Sequence, residues 1–406
     1  MIESTSRIEH TFPCSTTTSV MTVKNSDRFS LSTLQSQEGC LKPGYLERAW
    51  RAIVRFFQSL CSCFGLFSKK TTLSAQQREE RICNDTHIST RLNRQLLRSR
   101  EQLEQEPAKP FRYLEAPPSW DAHGEVVGGL EVGVSHIQGR RPTMEDEHLA
   151  THFQLNIAGR DYPIHLFGIF DGHGGVAAAE YVRDHLQEKL IETLLEFNSQ
   201  GLSERGIWNA LKMTSIRLNR DFKNQHHIDA DRMGTTATIA MILDGNLWTA
   251  NVGDARIVLV NGGNPVQCTE DAKPNNPRYK QGIENRGGHV TDVHGVPRVN
   301  GKLAVARAIG DHGLNGAISA RPKITRQSLS VFAHGSQLIL GCDGVWDVTR
   351  SIDGANAVHA HRNRPAAELA RNLTYSAYQA GSTDNISAMV IKFEPHLRAA
   401  KESVTQ

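Results

Sequence analysis

The sequence predicts an α+β domain built from antiparallel sheets and long helices, set behind an N-terminal extension of different character. Three observations predict it. From about Trp120 onward, short runs of β-like composition alternate with long stretches of helical periodicity. Several of these runs are joined by tight turns, Asp244-Gly245 and Asn261-Gly262-Gly263, which suit antiparallel neighbours. Four prolines (Pro107, Pro110, Pro117 and Pro118) break the chain before this texture starts. They read as a linker that divides an extension at 1–118 from a domain at 119–396, which a short tail at 397–406 follows.

In chain order, residues 1–45 are rich in Ser and Thr, offer little to bury, and read as disordered. The start has no apolar run of a secretory signal, and such a leader is compatible with an export signal of another kind. Residues 49–70 are apolar and aromatic but interrupted by Arg51, Arg55 and Gln58, with Lys69-Lys70 at the end. That pattern suits peripheral contact with a lipid surface better than a spanning helix, and Cys61 and Cys63 offer acylation positions. A helix packed on the domain, or a short membrane hairpin, is the alternative. Residues 74–106 carry helical periodicity through Ile88, Leu92, Leu96 and Leu103.

Within the domain, strands are expected at Leu130–Ser135, Ile164–Phe170, Thr235–Leu243, Asn246–Asn251, Ala255–Val260, Gln337–Gly341 and Ile386–Phe393. Helices are expected from about Val176 to Phe197, Glu204 to Phe222 and Pro365 to Ala380, the last opened by its proline and closed by Gly381.

Charge narrows the function classes. Residues 1–118 hold 17 basic and 12 acidic side chains, and 119–406 hold 29 and 31, so the basic excess is confined to the extension and no nucleic-acid partner is expected. The seven cysteines match no zinc spacing and suit a reducing compartment. None is followed by the arginine of a C-x5-R phosphatase motif, and the G-N-H-E block of another two-metal phosphatase class is absent. The expected location is the cytoplasm, with membrane association or export as an effector as alternatives.

The chemistry concentrates in carboxylates with glycine neighbours. Asp171 stands in Phe170-Asp171-Gly172-His173-Gly174-Gly175, where an apolar strand gives way to a turn. A carboxylate there can bridge two hard metal ions, and Gly172 lets a backbone carbonyl turn inward as a further ligand. Asp343 and Asp384 likewise follow or begin strands, and Glu145, Asp146, Asp254, Asp271 and Asp311 occupy similar surroundings. Converging carboxylates repel one another unless cations lie between them, and oxygen-only ligands select Mg²⁺ or Mn²⁺. Two such ions about 3.5–4 Å apart can activate a shared water for in-line attack on a phosphate ester. Arg141 is the guanidinium placed to hold the phosphate oxygens. Taken singly, these aspartates suit turns and caps equally well, and Asp254 and Asp311 read as structural turn residues.

Eight ordered blocks then carry a resemblance: R-x-x-M-E-D, F-D-G-H-G-G, G-T-T-A, N-V-G-D-A-R, E-D-A-K-P, V-N-G-K-L-A-V-A-R-A-I-G-D, G-C-D-G-V-W-D-V and S-T-D-N-I-S. Together, over about Leu130 to Phe393, they resemble the PP2C (PPM) family of metal-dependent serine/threonine protein phosphatases. The resemblance implies a β-sandwich of two antiparallel sheets flanked by helix pairs on both faces. It implies hydrolysis of phosphoserine and phosphothreonine in phosphoprotein substrates by direct attack of a water bridging two Mg²⁺ or Mn²⁺ ions, in a monomer. Asp171 would bridge the ions, with Gly172, Asp343, Asp384 and Glu145 completing their sites. Asp146 would orient the attacking water, Arg141 would bind phosphate and His173 would protonate the leaving alkoxide. Asp271, with Asp343, falls where some members hold a weaker third metal. Pro274–Arg298 looks like the variable flap beside the cleft, and Cys342 reads as a buried small residue. Two departures, Ala272 for a common histidine and Ala306 for a serine, leave the direct ligands intact. The competing reading is a PP2C-fold binding or regulatory module recruited to a membrane by residues 49–70.

Overall fold

A computed structural model of the chain describes residues 106–332 and 335–393. The expected disordered leader, the apolar and basic segment at 49–70, nearly all of the expected helix over 74–106 and the tail at 397–406 lie outside the described residues.

Two antiparallel sheets face each other. The first has six strands in the order β1 (His123–Val127), β2 (Leu130–Ile137), β15 (Ile386–Lys392), β14 (Gln337–Gly341), β8 (Arg256–Asn261) and β9 (Asn264–Gln267). The second is built on β3 (Asp146–Ile157), β4 (Arg160–His173), β6 (Ala237–Leu243), β7 (Asn246–Val252) and β13 (Lys323–Ser328), with the two-residue strands β5 (Gly234–Thr235) and β12 (Ile309–Gly310) at one end. A small hairpin, β10 (Val290–Val293) and β11 (Val296–Val299), stands apart.

Period-2 alternation sorts the side chains into layers. On β4, Phe167 and Ile169 enter the core between the sheets, beside Leu338, Leu340, Met389 and Ile391 of the first sheet. Ile164, Leu166 and Phe170 point the other way, against helices α1 (Ala177–Phe197) and α2 (Glu204–Arg232). On the first sheet, Val258, Ile339 and Val390 turn outward, together with Trp346 of α4 (Asp343–Trp346), and meet α5 (Ser351–Ala360) and α6 (Ala366–Gln379). Helix, sheet, sheet and helix therefore form four layers, as the blocks imply. Helix α3 (Pro277–Asn285) packs with Val299 and Ala306 in a satellite cluster under the small hairpin.

Each strand and helix expected within the domain is present, with ends moved by a few residues. The largest shift is α2, which continues to Arg232 across a break at His227 (φ 29°). Strand β3 was not expected, although it pairs with β4 along all 12 of its residues. The face it turns to the other sheet is Asp146, His148, Ala150 and His152; its apolar residues Leu149, Phe153, Leu155 and Ile157 alternate on the opposite face, in the helix-side core.

The proline-rich stretch, expected as a linker, is a strap laid on the domain. The Leu114 amide donates to Ser376 Oγ at 2.7 Å and the Ala116 amide to Asn372 Oδ1 at 2.9 Å, both on α6. Tyr113 stacks on His361, and Trp120 Nε1 donates to Thr374 Oγ1 at 3.0 Å. Proline suits this role because an extended strap needs few backbone donors of its own.

Candidate active site

Strand ends set the site. Asp171 lies two residues before the end of β4, directly opposite Asp146 at the start of β3. Its backbone is clamped: its amide donates to Thr236 Oγ1 at 3.1 Å, and its carbonyl accepts from the Thr236 amide at 2.9 Å. Asp343 opens α4 just past β14, Asp384 sits in the turn before β15, and Asp254 occupies the turn between β7 and β8. A Cβ on Gly172 would meet the Glu145 carbonyl at 2.3 Å, so only glycine lets the 145 loop close over this corner.

These turns enclose a cavity of about 380 Å³ whose wall includes Arg141, Glu145, Asp171, Gly172, His173, Asp254, Arg298, Asp343 and Asp384. Carboxylate oxygens of Asp171, Asp254 and Asp343 all lie within 4.8 Å of one another. Ligand atoms of Asp146, Asp171 and Cys342 meet the same limit. Asp146 is buried at 2% exposure and accepts from Ser387 Oγ at 2.6 Å.

Burial and like charge govern the electrostatics. Burial, then Asp343, Asp146 and Asp254, pushes the Asp171 carboxyl well above the usual range. Burial and Asp254 do the same to Asp343, against the pull of Lys273. Burial raises Asp146 to about 6 despite its bond from Ser387. Asp254 is raised by burial, with Lys273 opposing from 2.5 Å, and neither of its buried oxygens has a well-directed hydrogen-bond donor. A buried carboxylate beside two others, with a single lysine among the described residues to offset all three, fits a hard divalent cation with oxygen ligands. The Cys342 thiol suits neither ligation nor attack. Burial and the nearby aspartates push its pKa up, and it donates to the Asn385 carbonyl at 3.4 Å.

At the rim, Arg141 reaches Asp384 at 2.6 Å and stays half exposed. Glu145 Oε1 accepts from Thr143 Oγ1 at 2.9 Å and Oε2 from the Gly175 amide at 3.1 Å. Asn385 splints this loop: its amide nitrogen donates to the Gln138 and Thr143 carbonyls, each at 2.8 Å, and its oxygen accepts from the Glu145 amide at 2.9 Å.

His173 Nε2 meets Asp311 Oδ2 at 2.7 Å. Burial alone would lower the imidazole pKa, but the Asp311 carboxylate outweighs it and the net shift is upward. Gly234 makes room for the pair, because a Cβ there would lie 2.2 Å from Asp311 Oδ2 and 2.5 Å from His173 Nε2.

A family model described as Protein phosphatase 2C matches residues 130–386. The chain belongs to the PP2C family. Probable protein phosphatase 2C 56 of Oryza sativa subsp. japonica is 35% identical over 280 residues, covering 67% of this chain and 75% of the relative. Probable protein phosphatase 2C 52 of the same organism is 37% identical over 267 residues, 66% of this chain; the match spans about half of the relative, 51%. Among solved structures, a C. elegans sex determining protein aligns with TM-score 0.57 and 27% identity, over 67% of each chain. A phosphatase from a pathogenic strain of Toxoplasma gondii shares the fold, with TM-score 0.55 and 23% identity over 65% of this chain and 93% of that one.

Within this PP2C fold, the cavity gathers Arg141, Glu145, Asp171, Gly172, His173, Asp343 and Asp384, with Asp146 buried behind them. It does not gather Asp271. That carboxylate is absent from the cavity lining and takes two bonds from Arg256, Nε at 3.1 Å and Nη2 at 2.7 Å, so the residue expected at a third metal is already paired. Asp254, read as a turn residue, is the carboxylate beside Asp343 instead. Asp311, read the same way, is the partner of His173. The missed signal for Asp254 was the one that marks Asp171: an aspartate just past an apolar strand, beside a glycine.

Proposed function

We propose that this PP2C-family chain is a metal-dependent protein serine/threonine phosphatase acting by direct attack of water on phosphorus. The observation that carries the reading is the trio Asp171, Asp254 and Asp343. Three carboxylates, Asp254 buried and the other two half-buried, lie within 4.8 Å of one another, with Lys273 the cation paired to them among the described residues. Asp171, Asp254 and Asp343, with Glu145 and Asp384 at the rim, are the residues to hold Mg²⁺ or Mn²⁺. When bound, such ions neutralise phosphate charge and lower the pKa of water.

The chain's own groups do the rest. Arg141 leaves Asp384 to grip the non-bridging phosphate oxygens as a planar fork. Asp146, fixed by Ser387 Oγ and raised to about 6, accepts a hydrogen bond from the attacking water and aims it. His173, held protonated by Asp311, gives its proton to the departing serine or threonine oxygen.

The test is phosphate release from a phosphothreonine peptide by the full chain in EDTA, Mg²⁺ or Mn²⁺, beside Asp171→Asn and Asp343→Asn. Turnover that needs the metal and disappears in both variants supports the reading. A folded chain that releases no phosphate with either metal sinks it and favours a binding module.

A further inference from the structure

The strap reaches behind the metal-facing carboxylates. Glu106 Oε1 accepts from Arg256 Nη1 at 2.7 Å, and its Oε2 accepts from the Ser351 amide, at the start of α5, at 2.8 Å. Arg256, 7% exposed, stands two residues after Asp254 on β8, and its other edge holds Asp271. Asp271 anchors a loop tied again where the Ala272 amide donates to the Gly253 carbonyl at 2.8 Å. The next residue, Lys273, has its Nζ 2.5 Å from Asp254 and 3.9 Å from Asp343. Three residues along the strap, Lys109 Nζ donates to the carbonyl of Trp346, the last residue of the short helix that Asp343 opens. It also donates to the Thr349 carbonyl at 3.5 Å. Two strap side chains thus touch both segments that carry Asp254 and Asp343, and neither reaches the cavity.

We propose that Glu106 and Lys109, which lie outside the 130–386 family match, are positioning residues for the metal-binding carboxylates. The strap is then a working part of the site. Glu106 keeps the buried guanidinium from swinging toward the carboxylates in front of it, and Lys109 pins the turn that presents Asp343. This inference rests on the metal-dependent reading above.

The experiment uses full-length chains and two readouts: Mn²⁺ binding followed by the electron paramagnetic resonance of free Mn²⁺, and peptide dephosphorylation at saturating Mn²⁺. Glu106→Gln keeps the shape and removes the charge; Lys109→Met removes the donor. Each is expected to weaken Mn²⁺ binding about 10-fold, the scale of losses seen when groups behind metal ligands are changed. The turnover at saturating metal should stay within about 2-fold. Tyr113→Ala, which loosens the strap where it lies on α6 and α5, is the control. It should lower the melting temperature with Mn²⁺ affinity unchanged. Unchanged affinity in Glu106→Gln and Lys109→Met overturns the proposal. So does an equal loss in Tyr113→Ala, because the strap would then act through general stability alone. A wild-type chain that binds no Mn²⁺ removes the metal reading itself, a different failure from wild-type binding that the strap variants leave intact.

Discussion

Asp254 and Asp271 sit in neighbouring loops, and the chain treats them in opposite ways. Asp271 has a buried guanidinium across both oxygens, and that guanidinium also holds Glu106. Asp254 is buried at 1% exposure with two other aspartates in front of it and a lysine as its cation. In the first network every carboxylate oxygen has a donor; in the second the negative charge is left crowded, so that something positive must complete it. Pairing, rather than residue type or glycine context, separates a structural aspartate from a ligand.

The contrast can be broken by substitution. The largest effect is expected at the open end: Asp171→Asn should cut metal-stimulated phosphate release about 10³-fold, because it removes the charge shared by both trios of ligand atoms. The closed network should respond in stability instead. Asp271→Asn leaves Arg256 short of a carboxylate and should cost about 3–5 kcal/mol in urea unfolding. Asp254→Asn should leave the metal-free chain as stable or more so, since burial and neighbouring carboxylates already penalise its charge. Equal losses from the two substitutions would erase the distinction.

Smaller effects sharpen it. Asp311→Asn should slow turnover about 10-fold. Asp311 holds the His173 pKa above 6.5, so its loss lowers that pKa, and the protonated acid should disappear at lower pH in a kcat profile. Least is expected from Asp146 in the metal-free chain. Burial raises its carboxyl to about 6 in the folded chain, from the 3.8 of a free aspartate, so the folded state binds the extra proton between those values. Stability in EDTA should therefore fall as pH rises through that window, and Asp146→Asn should flatten the slope of melting temperature against pH.

How much was legible followed from how each segment meets its surroundings. Strands with one or two apolar faces, such as Ile164–Phe170 within β4 and Gln337–Gly341, announce themselves by composition. β3 is harder to read: Leu149, Phe153, Leu155 and Ile157 alternate on its helix-side face, but the face it turns to the other sheet carries an aspartate and two histidines. Asp171, Asp343 and Asp384 were legible from strand ends and blocks. Asp254 and Asp311 each follow a glycine and Asp271 precedes Ala272-Lys273-Pro274, all outside regular strands, and what separates them is a partner elsewhere in the chain: Lys273, Arg256 or His173. The strap was misread because proline looks alike in a free linker and in an extended segment laid on a helix.

The order of the first sheet carries a kinetic consequence. β15, near residue 390, is wedged between β2 and β14, and its first residue pairs with Ile137. During synthesis, β2 and β14 emerge long before the strand that joins them, and both wait with a raw edge. Contacts this distant in sequence close slowly, and until β15 arrives the edges of β2 and β14 are open to mispairing. Asp384, one turn before that strand, enters the pocket only with the final stitch. The site is thus assembled last, and a polypeptide arrested short of β15 carries most of the ligands without the frame that makes them converge.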